Sequence, residues 1–131
     1  MKSGLPFTLV QYLAVAGGGA VGAVLRLVVG ALSGRFITTR FPVGTLIINI
    51  TGSFFLGWFL TVISGRIVVS DTVRLAIGVG FVGAYTTFST YMYESSSLLA
   101  DGSQYKAFAN LIGSMVLGLI AVRSGIWLGS R

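Results

Sequence analysis

Three stretches without a single charged residue, 3–25, 41–65 and 75–93, and a shorter one at 107–122, constrain this chain more than any motif in it. A hydrocarbon core about 30 Å thick is crossed by roughly 20 residues of α-helix, a length these stretches approach or exceed. The runs predict an all-α membrane protein with four transmembrane helices, at about 8–33, 43–64, 74–99 and 105–128. The connections are Gly, Pro, Asp and Arg clusters too short to fold by themselves, so residues 1–131 read as one transmembrane domain. The apolar part of the first span is longer than a secretory signal and runs on to Arg26 without a cleavage-like pattern, so it is read as retained.

This composition leaves little room for chemistry outside the membrane. Hydrophobic residues make up 54% of the chain and charged ones 9%, and Cys and His are absent, which removes disulfides and the usual metal ligands and nucleophiles. Asp71, Glu94 and Asp101 are the only acids, too few and too dispersed for a hydrolytic carboxylate pair, so the chain is read as not an enzyme. The net charge of +6 comes from Lys and Arg scattered singly over loops and helix ends, a pattern that suits lipid headgroups and not nucleic acid.

Where those charges fall bears on orientation. With four spans, Lys2, Arg66, Arg74, Arg123 and Arg131 belong to one side, and Arg26, Arg35, Arg40 and Lys106 to the other. Orientation normally follows an excess of Lys and Arg on cytoplasmic loops, and a near tie specifies neither way up. Dual insertion follows, and with it an antiparallel homodimer whose two-fold axis lies in the membrane plane, since no internal repeat supplies that symmetry within one chain.

Polar residues inside the spans are the candidate functional positions, because hydrocarbon satisfies neither a hydroxyl nor a freed backbone group. In the first span, glycines at 17, 18, 19, 22, 30 and 34 mark contact surface, within a subunit or between two. Arg26 either snorkels to the headgroups or draws anions into a vestibule. Thr45 and Asn49 share a face of the second span, where Asn49 is either an interhelical hydrogen-bonding residue or a pore donor. In the third, Gly78, Gly80 and Gly83 precede Thr86, Thr87, Ser89 and Thr90, hydroxyls that compete for backbone carbonyls and favour a helix broken near its middle or kinked.

Gly18-Gly19-Ala20-Val21-Gly22-Ala23-Val24-Leu25-Arg26, Phe41-Pro42-Val43-Gly44-Thr45-Leu46-Ile47-Ile48-Asn49-Ile50-Thr51-Gly52-Ser53-Phe54, and Gly80 to Tyr91 with Glu94 resemble, in order, spacing and size, the small fluoride channels of the Fluc (CrcB) family. The resemblance covers nearly the whole chain and is most specific at Thr86-Thr87-Phe88-Ser89-Thr90; it is least so in the last span, with Asn110 and Ser114. It implies a passive fluoride-selective channel of a bacterial cytoplasmic (inner) membrane, built as an antiparallel dual-topology homodimer with two pores and a structural Na+ on the two-fold axis. Carried to this chain, the Na+ carbonyls belong to Gly83 and Thr86, and the ring edges facing the anion to Phe88 and Tyr91. Asn49 matches the pore asparagine, Arg26 the first-helix arginine, and Ser89, Thr90 and Ser114 hydroxyls along the pathway, with Glu94 just past the motif and Thr45 on the face of Asn49. Tyr91 stands where the family usually has Phe, and Gly83-Ala84 where it has paired glycines.

The residue types suit a small, strongly hydrated anion, whose water must be replaced by many donors and by positive ring edges without a fixed cation to trap it. The alternatives are a dual-topology proton-coupled exporter of organic cations, which wants an acid in the membrane, ideally in the first helix, where there is none and Glu94 on the third is the only candidate, and a non-transporting membrane assembly subunit.

Overall fold

The structure, a computed structural model, describes residues 6–131, so Lys2 of the charge tally lies outside the described residues. Helix α1, Leu9–Phe36, opens on a capping box in which the Thr8 side chain accepts from the Gln11 amide and the Gln11 side chain returns to Thr8. Helix α2, Val43–Gly65, begins directly after Pro42. Ser70 caps the short α3, Asp71–Arg74, whose Asp71 and Arg74 sit at the ends that the helix dipole favours for each sign.

From Arg74 the backbone widens into a π-helical stretch, Leu75–Val82, then tightens again in α4, Gly83–Tyr85. Thr86 and Thr87 leave helical geometry, with ψ of 159° and 116°, and α5 resumes at Phe88 and runs to Ala100. Gly102 turns the chain at φ +75°, where a side chain would be strained, and α6 covers Gln104–Gly129. Of these, α1, α2 and α6 are long and apolar enough to cross a membrane. Their ends fall within three residues of the expected limits; the region expected as one span at 74–99 is two helical arms joined by the extended pair Thr86–Thr87.

Two close pairings organise the bundle. A side chain on Gly18 would strike the carbonyl of Ala76, one on Gly22 that of Phe81, and Gly80 lies equally tight against Val15. The first arm therefore runs parallel to α1 at backbone contact distance, which only glycine permits. Likewise α2 and α6 run parallel, with Gly57 against Val122 and Gly125 against Phe54 and Trp58. Gly17 and Gly34 meet nothing within 4 Å, so the α1 glycines divide into an intrachain seam and an open set.

Between these pairs lies a modest core of Ile48, Phe59, Val82, Tyr85, Tyr91 and Leu98. Leu27 on α1, and Met115 and Leu119 on α6, are instead widely exposed, as suits helices that face lipid or another chain.

Candidate functional site

The interruption at Thr86–Thr87 leaves backbone groups without helical partners, and α2 supplies the missing ones. The Asn49 carboxamide donates through Nδ2 to the Thr87 carbonyl at 3.0 Å and accepts through Oδ1 from the Thr87 amide at 2.8 Å. In a continuous helix that amide would bond the carbonyl of Gly83; here Asn49 takes it. The Thr87 hydroxyl caps α5 by accepting from the Thr90 amide at 3.2 Å, and donates to the Thr90 hydroxyl at 3.0 Å. One threonine thus carries the bend, and one asparagine holds it.

Two cavities meet at this residue. The larger, about 650 Å³, lies among α1, the start of α2 and α5, and its polar lining comprises Arg26, Ser33, Thr39, Thr45, Thr87, Thr90 and Glu94. The smaller, about 320 Å³, is lined by Asn49, Ser53, Thr86, Thr87, Phe88, Tyr91 and Ser114 among others. Thr87 belongs to both. The Asn49–Thr87 pair therefore stands between them, Asn49 on the wall of the smaller and Thr87 on the walls of both.

In the larger chamber Thr45 donates to Glu94 Oε1 at 2.9 Å, while Glu94 Oε2 is buried without a hydrogen-bond partner. Arg26 lines the same chamber, so a basic and an acidic side chain face one space. In the smaller chamber the Phe88 and Tyr91 rings stand 5.9 Å apart at 62°, edge toward face. Phe88 is 74% exposed and Tyr91 6%, so the first ring is free to present its edge while the second is held.

Most of the hydroxyls on these walls are already committed. Thr45 donates to Glu94, Tyr91 to the Leu111 carbonyl at 2.6 Å, and Ser114 to Asn110 Oδ1 at 3.1 Å. What is left to meet an anion is the second amide hydrogen of Asn49, the hydroxyl hydrogens of Ser33, Thr39, Ser53 and Thr90, the Arg26 guanidinium and the ring edges.

Of the residues named from sequence, Arg26, Thr45, Thr90 and Glu94 come together in the larger chamber, and Asn49, Phe88, Tyr91 and Ser114 in the smaller. Ser89 lines neither and is exposed. Thr86 lines the smaller chamber, where its hydroxyl bonds back to the Val82 carbonyl at 2.9 Å, whereas Gly83 is exposed and outside both. Thr87 is named from sequence only among the hydroxyls of its span, with no role of its own, although a threonine three residues before Thr90 carries the signature of a helix cap. Ser95 and Asn110 were not assigned either. Their bond spans two helices, and no spacing along one helix reveals it.

Residues 13–126 match the family described as CrcB-like protein, Camphor Resistance (CrcB). The chain belongs to the CrcB family. A relative from Chloroflexus aurantiacus, named fluoride-specific ion channel FluC, is 46% identical over 117 residues, covering 89% of this chain and 93% of the relative. Relatives of the same name from Acidobacterium capsulatum and Aquifex aeolicus are 45% and 40% identical, covering 92% and 88% of this chain and 97% and 94% of their own lengths. In this CrcB-family chain the match runs through both chambers and every residue that joins them.

Proposed function

We propose that this chain is the protomer of a passive, fluoride-selective ion channel. The observation that carries this reading is that Thr87 lines two chambers, one walled by Arg26, Glu94 and hydroxyls and one by two aromatic rings, with Asn49 bonded to its backbone on the second. The relatives named as fluoride-specific channels supply the ion. Membership in their family speaks against an enzyme and gives no support to the exporter, whose mechanism would need an acid on α1.

A dehydrating fluoride would meet Arg26 and Thr90 first, then the Asn49 amide, then the ring edges of Phe88 and Tyr91. Past Arg26 at the entrance, none of these groups is a fixed cation, so entry is favoured without a trap deeper in. No pump is needed. A membrane potential, negative inside, contributes about 2.3 kcal/mol per charge per 100 mV toward expelling an anion.

The parallel pairs α1 with the first arm and α2 with α6 suit four crossings in up-down order, the arms on either side of Thr86–Thr87 forming one broken span. The near-even charge tally and the exposed apolar faces of α1 and α6 support an antiparallel, dual-topology homodimer in a bacterial cytoplasmic membrane, with lipid around it and two pathways. Gly83 fits a structural Na+ on the two-fold axis: open space surrounds it, and the amide that would occupy its carbonyl is drawn away by Asn49. Neutral carbonyls of Gly83 and Thr86, with those of a second chain, are the oxygen set a small hard cation takes, and the ion would brace the bend.

Liposomes loaded with fluoride and bearing the purified protein test the reading. With a K+ ionophore present, a fluoride electrode should record rapid efflux, and chloride-loaded liposomes should show none. Fluoride retention equal to that of protein-free liposomes would overturn it.

A further inference from the structure

Tyr91 is held at two points, one from α6 and one from the next turn of its own helix α5. Its hydroxyl donates to the carbonyl of Leu111 on α6 at 2.6 Å. Its own backbone carbonyl accepts from the Ser95 hydroxyl at 2.8 Å. Ser95 in turn accepts from Asn110 Nδ2 at 2.9 Å, and Asn110 Oδ1 accepts from the Ser114 hydroxyl at 3.1 Å. Ser95 and Asn110 are 2% and 1% exposed, so water does not compete for these bonds.

The direction of the chain is determined by proton counting. Ser95 has one proton and gives it to the Tyr91 carbonyl, so toward Asn110 it can only accept, which turns the Asn110 amide nitrogen to Ser95 and its oxygen to Ser114. Ser114 must then donate inward. It lines the smaller chamber with its lone pairs free and its proton spent, so on this wall the ring edge of Tyr91 is the electropositive feature that meets an anion.

We infer that Ser95 and Asn110 are positioning residues of the pathway. Together with the Tyr91 hydroxyl they hold the residue at both ends, the ring through Leu111 and the backbone at its root through Ser95, and so keep the ring edge turned to the chamber. The inference explains why this chain tolerates Tyr where a Phe would have no hydroxyl arm. It rests on the channel reading, but the clamp itself has a readout that does not need flux.

The experiment uses the full chain, purified and reconstituted, with fluoride efflux normalised to folded protein. Tyr91→Phe and Ser95→Ala should each slow efflux about two- to tenfold, the range that loss of one buried hydrogen bond produces. Their combination should slow it by more than the product of the two, because each arm partly covers for the other. Ser124→Ala, which removes the same kind of hydroxyl-to-carbonyl bond on an exposed part of α6, should leave efflux unchanged. Hydrogen exchange of the amides between Phe88 and Ser95 should quicken in the first two variants and not in the third. Unmodified efflux in Tyr91→Phe and Ser95→Ala, or a double variant no worse than the product, overturns the clamp. If the unmodified chain carries no fluoride, the channel reading fails, and exchange then decides the clamp: rates in Tyr91→Phe and Ser95→Ala equal to those of Ser124→Ala sink it. Should Ser95→Ala not fold, Ser95→Cys, of similar size with a weaker donor, takes its place under the same criteria.

Discussion

Asn49 and Thr87 form a two-point pair, carboxamide against peptide, at the one place between Asp71 and Ala100 where the backbone leaves helical geometry. An asparagine in an apolar helix and an extended residue in an apolar arm are each costly alone, and each satisfies the other. The two sequence readings of Asn49, interhelical partner and pathway donor, are therefore compatible. The pair uses one amide hydrogen and leaves the second for the chamber.

Replacing Asn49 by Leu should consequently do two things at once. It strands a buried N–H and a buried C=O, at about 1–3 kcal/mol each, and it removes a donor from the wall of the smaller chamber. Thermal unfolding in detergent should begin well below that of the unmodified protein, and efflux per folded protein should fall. Full stability with lost flux would mean that water replaces Asn49 at the bend.

Phe88 offers the opposite case, a ring with little packing to lose. Because it is 74% exposed, Phe88→Ile should purify with nearly unchanged stability, yet efflux should drop at least about tenfold as the electropositive edge disappears. Efflux at the unmodified rate would remove Phe88 from the pathway.

The parallel pairing of α2 and α6 can be probed on a single helix. Gly125→Ala drives a methyl into the Phe54 carbonyl and should cost about 1–3 kcal/mol, whereas Gly113→Ala meets nothing within 4 Å and should be neutral or gain up to about 1 kcal/mol of helix propensity. Comparing melting temperatures of the two variants checks the seam. Equal losses would show that a second chain covers Gly113.

Dual insertion rests on the balance of basic residues, and the balance can be tipped. Two lysines added between Ile37 and Phe41 should drive C-terminal topology reporters to one side and, in a cell making only that variant, lower fluoride resistance. Co-expression with a variant biased the other way should restore it. Reporters on one side only in the unmodified chain would end the antiparallel reading.

Removal of sodium addresses the carbonyls of Gly83 and Thr86. Prolonged dialysis into Na+-free buffer should slow efflux and lower the melting temperature, with Na+ restoring both better than K+. A dimer shown to hold no cation and yet fully active and stable would exclude the ion.

Much of this was legible in residue order. Uncharged runs announced membrane helices, because lipid admits little else, and of the polar residues standing inside them Arg26, Thr45, Asn49, Thr90, Glu94 and Ser114 line the chambers while Ser89 does not. Periodicity along one helix placed Thr45 beside Asn49 and Phe88 beside Tyr91. It could not show that Asn49 reaches the Thr87 backbone, that Ser114 turns its proton to Asn110, or that Gly18 and Gly22 serve the first arm while Gly17 stays open. Nor did glycine spacing foretell the π-helical widening at Leu75–Val82. The sequence by itself determined which groups could not be left alone in hydrocarbon; the tertiary structure decided their partners, because a hydrogen bond between helices depends on how the helices cross, and that is settled by packing across the whole bundle.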